Sequence, residues 1–232
     1  MMHRRFYLSL AILAPAITVF ATGAASAQVP ATTASARPDY TAADVQFMQG
    51  MIGHHAQAVV MAGMAPTHGV SPQIALFARK IARSQIDEID LMQTWLLDRG
   101  QAVPDPKDPH SAMHAAMMDS SMKDMDMNGM DMKGMGMKGM DMGAGGHTML
   151  MPGMLSPAQM AQLDAARGTD FDRLFLTFMI QHHRGALTMV QTLFDTAGSG
   201  QGPEIFGYAT GVDADQRAEI GRMQLMLAAI GR

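Results

Sequence analysis

The segment Met51-Ile52-Gly53-His54-His55 returns 128 residues later as Met179-Ile180-Gln181-His182-His183. Its surroundings return with it, as Thr41/Thr169, Asp44/Asp172, Phe47/Phe175, Ala58/Ala186 and Met61/Met189. A second match follows at an offset of 131, where Ile81, Gln85, Glu88, Ile89, Met92 and Gln93 align with Val212, Gln216, Glu219, Ile220, Met223 and Gln224. Two such matches in register define a duplicated unit of about sixty residues, and a small unit that leaves its apolar stripe exposed is stable only when packed on its copy.

Each unit reads as a helical hairpin. Thr41 three residues before Asp44 is a capping-box arrangement, after which positions 44, 47/48, 51, 54/55, 58 and 61/62 share one helical face. The paired histidines therefore lie on the stripe expected to be buried. Pro66-Thr67-His68-Gly69 breaks this helix, and Ser71-Pro72 starts a second with a cap and a proline at the first helical position. That helix is predicted over 72–98, with Ile74, Phe77/Ala78, Ile81, Ile86, Ile89, Met92 and Leu96 inward and Gly100 as its stop. In the second copy Ser156-Pro157 opens a short helix that Gly168 closes. Thr169 and Asp172 are expected to cap the third long helix, and Gly202-Pro203 precedes the fourth, which ends at Gly231. Four long amphipathic helices in two short-looped hairpins predict an all-α four-helix bundle with internal pseudo-twofold symmetry.

Between the copies the composition changes. From Met113 to Met154 there are 15 Met in 42 residues, including a pentapeptide tandem over Met125–Ala144. A glycine every fifth residue opposes helix formation, and no branched or aromatic residue is present there to build a core. The expected organisation is a first hairpin over 41–100, a disordered Met-rich connection over 101–155 and a second hairpin over 156–232 of the same bundle. Upstream, Arg4 and Arg5 precede an apolar run from Phe6 to Phe20, and Ala25-Ser26-Ala27 offers small residues for cleavage. This is the pattern of a signal peptide over 1–27 cut after Ala27, followed by a flexible leader over 28–40. The predicted mature protein is periplasmic or secreted, without a membrane anchor.

Loss of Arg4 and Arg5 from the 17 basic residues, against 21 acidic ones, leaves a balance near −6, which argues against a nucleic-acid partner. With no Cys in the chain, disulfides, zinc–thiolate sites and c-type haem attachment are excluded. Any soft ligand must be Met. Imidazole suits copper, zinc, iron and nickel, whereas thioether selects soft ions such as Cu(I). The bundle candidates are His54, His55, His182 and His183 with Met51, Met61, Met179 and Met189. In the connection they are Met125, Met127, Met130, Met132, Met135, Met137, Met140 and Met142, whose M-x-M spacing offers several sulfurs to one Cu(I) or Ag(I), while His110, His114 and His147 extend the range to Cu(II). Adjacent histidines on a helix diverge by about 100°, so one imidazole of each pair is expected to face the interior and its neighbour a Met or an acceptor on the flanking helix. The competing reading is structural: buried histidines bonded to a carbonyl, to Glu88 or to Glu219, and methionines that fill core gaps.

The pattern D-x-x-F-x-x-x-M-I-x-H-H-x-x-A-x-x-M, followed by Q-x-x-E-I-x-x-M, resembles the family called domain of unknown function 305, across 40–100 and 151–230. The resemblance implies a ferritin-like helical bundle, usually exported, with some members that bind copper in the periplasm and act in copper tolerance. A copper-exporting or copper-oxidising protein is then a candidate partner. The first copy departs from the second in having Ala56-Gln57 where the other has Arg184-Gly185. A di-iron or di-manganese oxidase built on the same bundle needs four Glu and two Glu-x-x-His motifs. This chain has three Glu, Glu88, Glu204 and Glu219, and no such motif, so no catalytic residues are expected.

Overall fold

Thr41 begins the first helix as its spacing predicts: its side chain accepts from the Asp44 amide, and the Asp44 carboxylate accepts the Thr41 amide in return. The computed structural model describes residues 39–108 and 150–230. Within them lie α1 (Ala42–Met64), a short 3-10 turn (Ala65–Thr67), α2 (Pro72–Asp98), α3 (Pro157–Ala165), α4 (Gly168–Asp195) and α5 (Pro203–Ile230). Ser71 caps α2 ahead of Pro72. Ser156 and Gln159 form a second capping box on α3. Gly100 takes the left-handed conformation, φ 63°, just past the end of α2, as a helix-stopping glycine does. No helix among the described residues is long and apolar enough to cross a membrane. The predicted signal peptide (1–27), most of the leader and the Met-rich residues 109–149 lie outside the described residues.

The hairpins α1–α2 and α4–α5 meet along α1 and α4, giving the predicted four-helix bundle. The C-terminal half of α1 shares one apolar cluster with the N-terminal half of α4, including Ala58, Met61, Phe171, Phe175 and Met179. Its N-terminal half shares the other with the C-terminal half of α4, including Val45, Met48, Met51, Ala186 and Val190. The two helices are thus antiparallel, related by a pseudo-twofold axis through their middles. Between the half-cores lies a polar layer of fully buried His54, His55, His182 and His183 with buried Gln85 and Gln216.

Every stripe position named for α1 is buried. Three details differ from the expectations. Ile86 is 40% exposed, and Gln85 occupies the inward position, because the helix turns its polar residue toward the histidine layer. Gly168 does not close the short helix: α3 ends at Ala165, and Gly168, at φ 58°, opens α4. Thr169 and Asp172 do not cap α4, whose N-cap residue Arg167 has no side-chain cap bond.

Asp172 instead accepts the Ser71 amide at 3.2 Å, across the bundle at the start of α2. Asp44 does the reciprocal: besides its own capping box it accepts the Gly200 amide at 2.7 Å, just before α5. The repeat-equivalent aspartates Asp44 and Asp172 therefore each hold the loop of the other copy. The repeat conserved a clamp between hairpins, and one of its two aspartates also serves as a cap. Asp44 gathers the Thr41 amide (2.7 Å), the Thr41 hydroxyl (2.9 Å) and the Gly200 amide, whereas Asp172 holds one amide. Hydrogen bonds to a charged acceptor contribute roughly 1.5–3 kcal/mol, so Asp44→Ala is expected to destabilise by roughly 2–4 kcal/mol and Asp172→Ala by roughly 1–2. Urea denaturation of the two variants checks the order.

Candidate metal centre

At the middle of α1 and α4 the sequence Gly-His-His and its copy Gln-His-His put two imidazoles on adjacent positions, and the helical turn separates them. The rings of His54 and His55 are 6.4 Å apart between centroids, and those of His182 and His183 6.2 Å. One of each pair turns to the centre, where His54 and His182 stack at 3.8 Å with a 39° tilt. The other turns outward to a flanking helix. His55 Nε2 lies 2.6 Å from Glu88 Oε2 of α2, and His183 Nε2 lies 2.6 Å from Glu219 Oε2 of α5. The duplication at offset 131 thus carries the carboxylate partners of the duplication at offset 128.

The central pair is not symmetric in its hydrogen bonds. His182 Nε2 donates to the His54 carbonyl at 2.9 Å, while His54 Nε2 donates to the Pro152 carbonyl at 3.0 Å. Pro152 belongs to a strap, 151–155, that leads from the Met-rich connection into α3. The Met154 amide donates to the Met151 carbonyl at 3.1 Å and Gly153 has φ 75°, the Pro-Gly pattern of a type II turn. Gln57 grips the strap from α1, its Oε1 accepting the Leu155 amide at 2.7 Å and its Nε2 donating to the Leu155 carbonyl at 3.0 Å. On α4 the strap lies directly on Gly185, where a Cβ would collide with the Pro152 carbonyl and carbon. The Gln57/Gly185 difference between the copies is the trace of this docking: one copy grips the strap and the other makes room for it. The expectation of disorder over 101–155 therefore fails at both ends. Leu155 is 1% exposed in the core, and the Ala102 carbonyl accepts from Gln49 Nε2 at 2.9 Å.

Burial sets the protonation of the central pair. Desolvation, reinforced by His55, lowers the His54 pKa to about 3 despite the Pro152 bond, which raises it. Desolvation and the neighbouring imidazoles lower His182 well below the ordinary histidine range. Burial raises the Glu88 carboxyl, but the hydrogen bond and charge of His55, with the Ser84 hydroxyl, outweigh it and bring its pKa below the usual value. A carbonyl carries no proton, so Nε2 must donate in His54 and His182, and in these neutral rings Nδ1 is a bare lone pair. The Nδ1 atoms of all four histidines are buried without a hydrogen-bond partner. An unsatisfied buried polar atom costs about 1–3 kcal/mol, and the hydrogen bonds at Nε2 leave four such atoms in one layer.

The remaining candidates divide. Met51 lies fully buried in one half-core, and Met61 and Met179 in the other. Met189 is half-buried at the edge. Met125, Met127, Met130, Met132, Met135, Met137, Met140 and Met142, with His110, His114 and His147, lie outside the described residues. Among the described residues no three or more His, Asp or Glu side chains converge on one metal position. The central rings of His54 and His182 lie 3.8 Å apart and tilted by 39°. His68, at the break after α1, is structural: its Nε2 donates to the Asp164 carbonyl at 2.9 Å and its own carbonyl accepts the Gly168 amide at 2.8 Å.

The sequence model of the domain of unknown function DUF305 matches residues 44–227. Comparison with curated proteins gives no match. Among solved structures, a DUF305 protein from Streptomyces coelicolor assigned as secreted is 24% identical, covering 83% of this chain and 95% of that one at a TM-score of 0.58. A DUF305 fragment from Deinococcus radiodurans is 28% identical over 83% of this chain and 99% of its own, at 0.57. CopM in its Cu(II)-bound form is 28% identical over 80% of this chain and 96% of its own, at 0.53.

Two predictions follow from the geometry. The folded-state pKa of His54 lies below its unfolded value of 6.5, so its contribution to stability is complete above pH 6.5 and is lost as pH falls toward 3. His182 acts in the same direction. Metal-free protein is expected to lose roughly 1.4 kcal/mol per pH unit for each of these two histidines below pH 6.5. Denaturant midpoints measured between pH 7.5 and 5 check this, and a flat profile contradicts it. Separately, Gly185→Ala is expected to displace the strap and cost roughly 2–4 kcal/mol, through overpacking and the lost His54–Pro152 bond. Thermal denaturation of that variant measures the loss.

Proposed function

The chain belongs to the domain of unknown function 305 family, and from that premise we propose that it is an exported copper-binding protein that sequesters or hands on the metal and catalyses no reaction. The observation that carries this reading is the set of four buried imidazole Nδ1 atoms without partners, two of them on neutral rings stacked at the bundle centre. Neutral imidazole is a good copper ligand, and the Nε2 bonds that orient each ring act as the outer-shell contacts that position metal-binding histidines elsewhere. The Cu(II)-bound CopM structure, on the same fold at 28% identity, supports copper as the cargo. The Met-rich connection supports Cu(I) or Ag(I) as the form captured first, since thioethers select soft monovalent ions. Copper-exporting or copper-oxidising proteins are the partners this role would bring.

A second reading has an observation in its favour: every Nε2 in the layer has an acceptor, as a purely structural histidine layer requires. The two readings part over Nδ1. In a structural layer those four unpartnered Nδ1 atoms are a cost without a return.

The test titrates metal-free protein with Cu(I) under reducing conditions, against a competing chelator, and with Cu(II). We expect a tight component that His54→Leu with His182→Leu removes, and a larger, weaker component that deletion of 113–149 removes. The deletion stops at 149 so that the strap stays in place. Binding no tighter than that of a Met-poor control bundle would sink the copper reading. Equal loss of both components from either change would show that bundle and connection do not form separate sites.

A further inference from the structure

Gly50 sits in the middle of α1, one turn before His54, where a glycine costs a helix about 1 kcal/mol relative to alanine. Its counterpart at the 128-residue offset is Phe178, whose side chain is buried in the core. The first copy leaves that volume to two other side chains. A Cβ at Gly50 would lie 3.4 Å from Met151 Sδ and 3.4 Å from Met189 Cε, so the sulfur of one and the terminal methyl of the other meet over the glycine, with the Met189 sulfur one bond further back.

They arrive from different directions. Met151 is the first residue of the strap that delivers the Pro152 carbonyl to His54, and its backbone is held by the turn to Met154 and by the grip of Gln57 on Leu155. Met189 projects from α4, seven residues past His182. Its repeat partner Met61 is fully buried, whereas both Met151 and Met189 are half-buried. Both residues retain solvent exposure, whereas Met51, Met61 and Met179 have none.

We propose that Met151 and Met189 form a two-thioether site over Gly50 for a soft monovalent ion, Cu(I) or Ag(I), at the junction between the Met-rich connection and the buried imidazoles. The unbranched methionine chain, with three rotatable bonds, swings its sulfur toward a shared ion at little cost. Two thioethers leave coordination positions open, which suits an ion in passage. The site also lies on the strap that covers His54, one residue from the carbonyl to which His54 donates. The inference takes its cargo from the copper reading above; its position rests on Gly50 and the strap alone.

The test uses protein labelled with 13C at the methionine methyls and titrated with Ag(I). The methyl signals of Met151 and Met189, assigned through Met151→Leu and Met189→Leu, are expected to shift together along one binding curve. Loss of either sulfur should weaken the response of the other by at least about tenfold, the lower range seen when metal sites lose a supporting group. Gly50→Leu, which fills the space, should suppress both shifts while leaving helical circular dichroism unchanged; should it unfold the protein, the leucine variants carry the test. The site is overturned if methyls of the connection respond and those of Met151 and Met189 do not, or if Met189 responds equally in Met151→Leu. If no methionine methyl responds at all, the soft-metal reading of the whole protein falls with it.

Discussion

Four fully buried imidazoles in the middle of an apolar core are the constraint on which this structure depends. An imidazole without partners is costly to bury, so the bundle had to supply acceptors at that depth. It does so from three sources. Glu88 and Glu219 come in from the outer helices, the His54 carbonyl is taken from the bundle's own backbone, and the Pro152 carbonyl is brought by a strap from outside it. The layer in turn divides the core into two half-cores, each built from one end of α1 and the opposite end of α4. What stays unsatisfied is one nitrogen at the edge of each ring, Nδ1.

Duplication explains the symmetry, and the strap explains its failure. Two equal hairpins place equivalent histidines on a pseudo-twofold axis, yet both central Nε2 atoms cannot use the same acceptor. One takes the opposing helix, and the other takes Pro152. Gln57 and Gly185, at equivalent positions, have diverged accordingly, one into a bidentate grip on the strap and the other into an opening for its backbone. The strap is also the end of the Met-rich connection, so the segment richest in thioethers is covalently continuous with the cover of the histidine layer.

The reciprocal aspartates show how a repeated residue acquires a role that no local pattern reveals. Asp44 fits a capping box and is one. Asp172 occupies the same place in the repeat but follows a helix start displaced to Gly168, so its carboxylate is free to reach Ser71. Both aspartates hold the opposite hairpin's loop, and for both this is the shared function. The Thr-x-x-Asp spacing is the same in both copies, and local propensity described only Asp44 correctly because α1 starts just after Thr41 whereas α4 starts before Thr169.

By itself the sequence determined the helices, their pairing into hairpins and the buried stripe, because these follow from periodicity, caps and breakers that act over a few residues. It also determined that the paired histidines face inward and diverge, since the helical turn leaves adjacent side chains no other choice. The acceptors Glu88 and Glu219 were legible as possibilities, through their place in the second repeat. Tertiary structure alone decided which imidazole of each pair stacks at the centre, that Pro152 is a partner of His54, that Gln85 rather than Ile86 turns inward, and that Met151 meets Met189 over Gly50. Each of these depends on segments distant in the chain arriving at one point, and no periodicity encodes that arrival. The one sequence signal that pointed to it was the mismatch of Gln57 with Gly185, an asymmetry whose meaning appears once the strap lies between them.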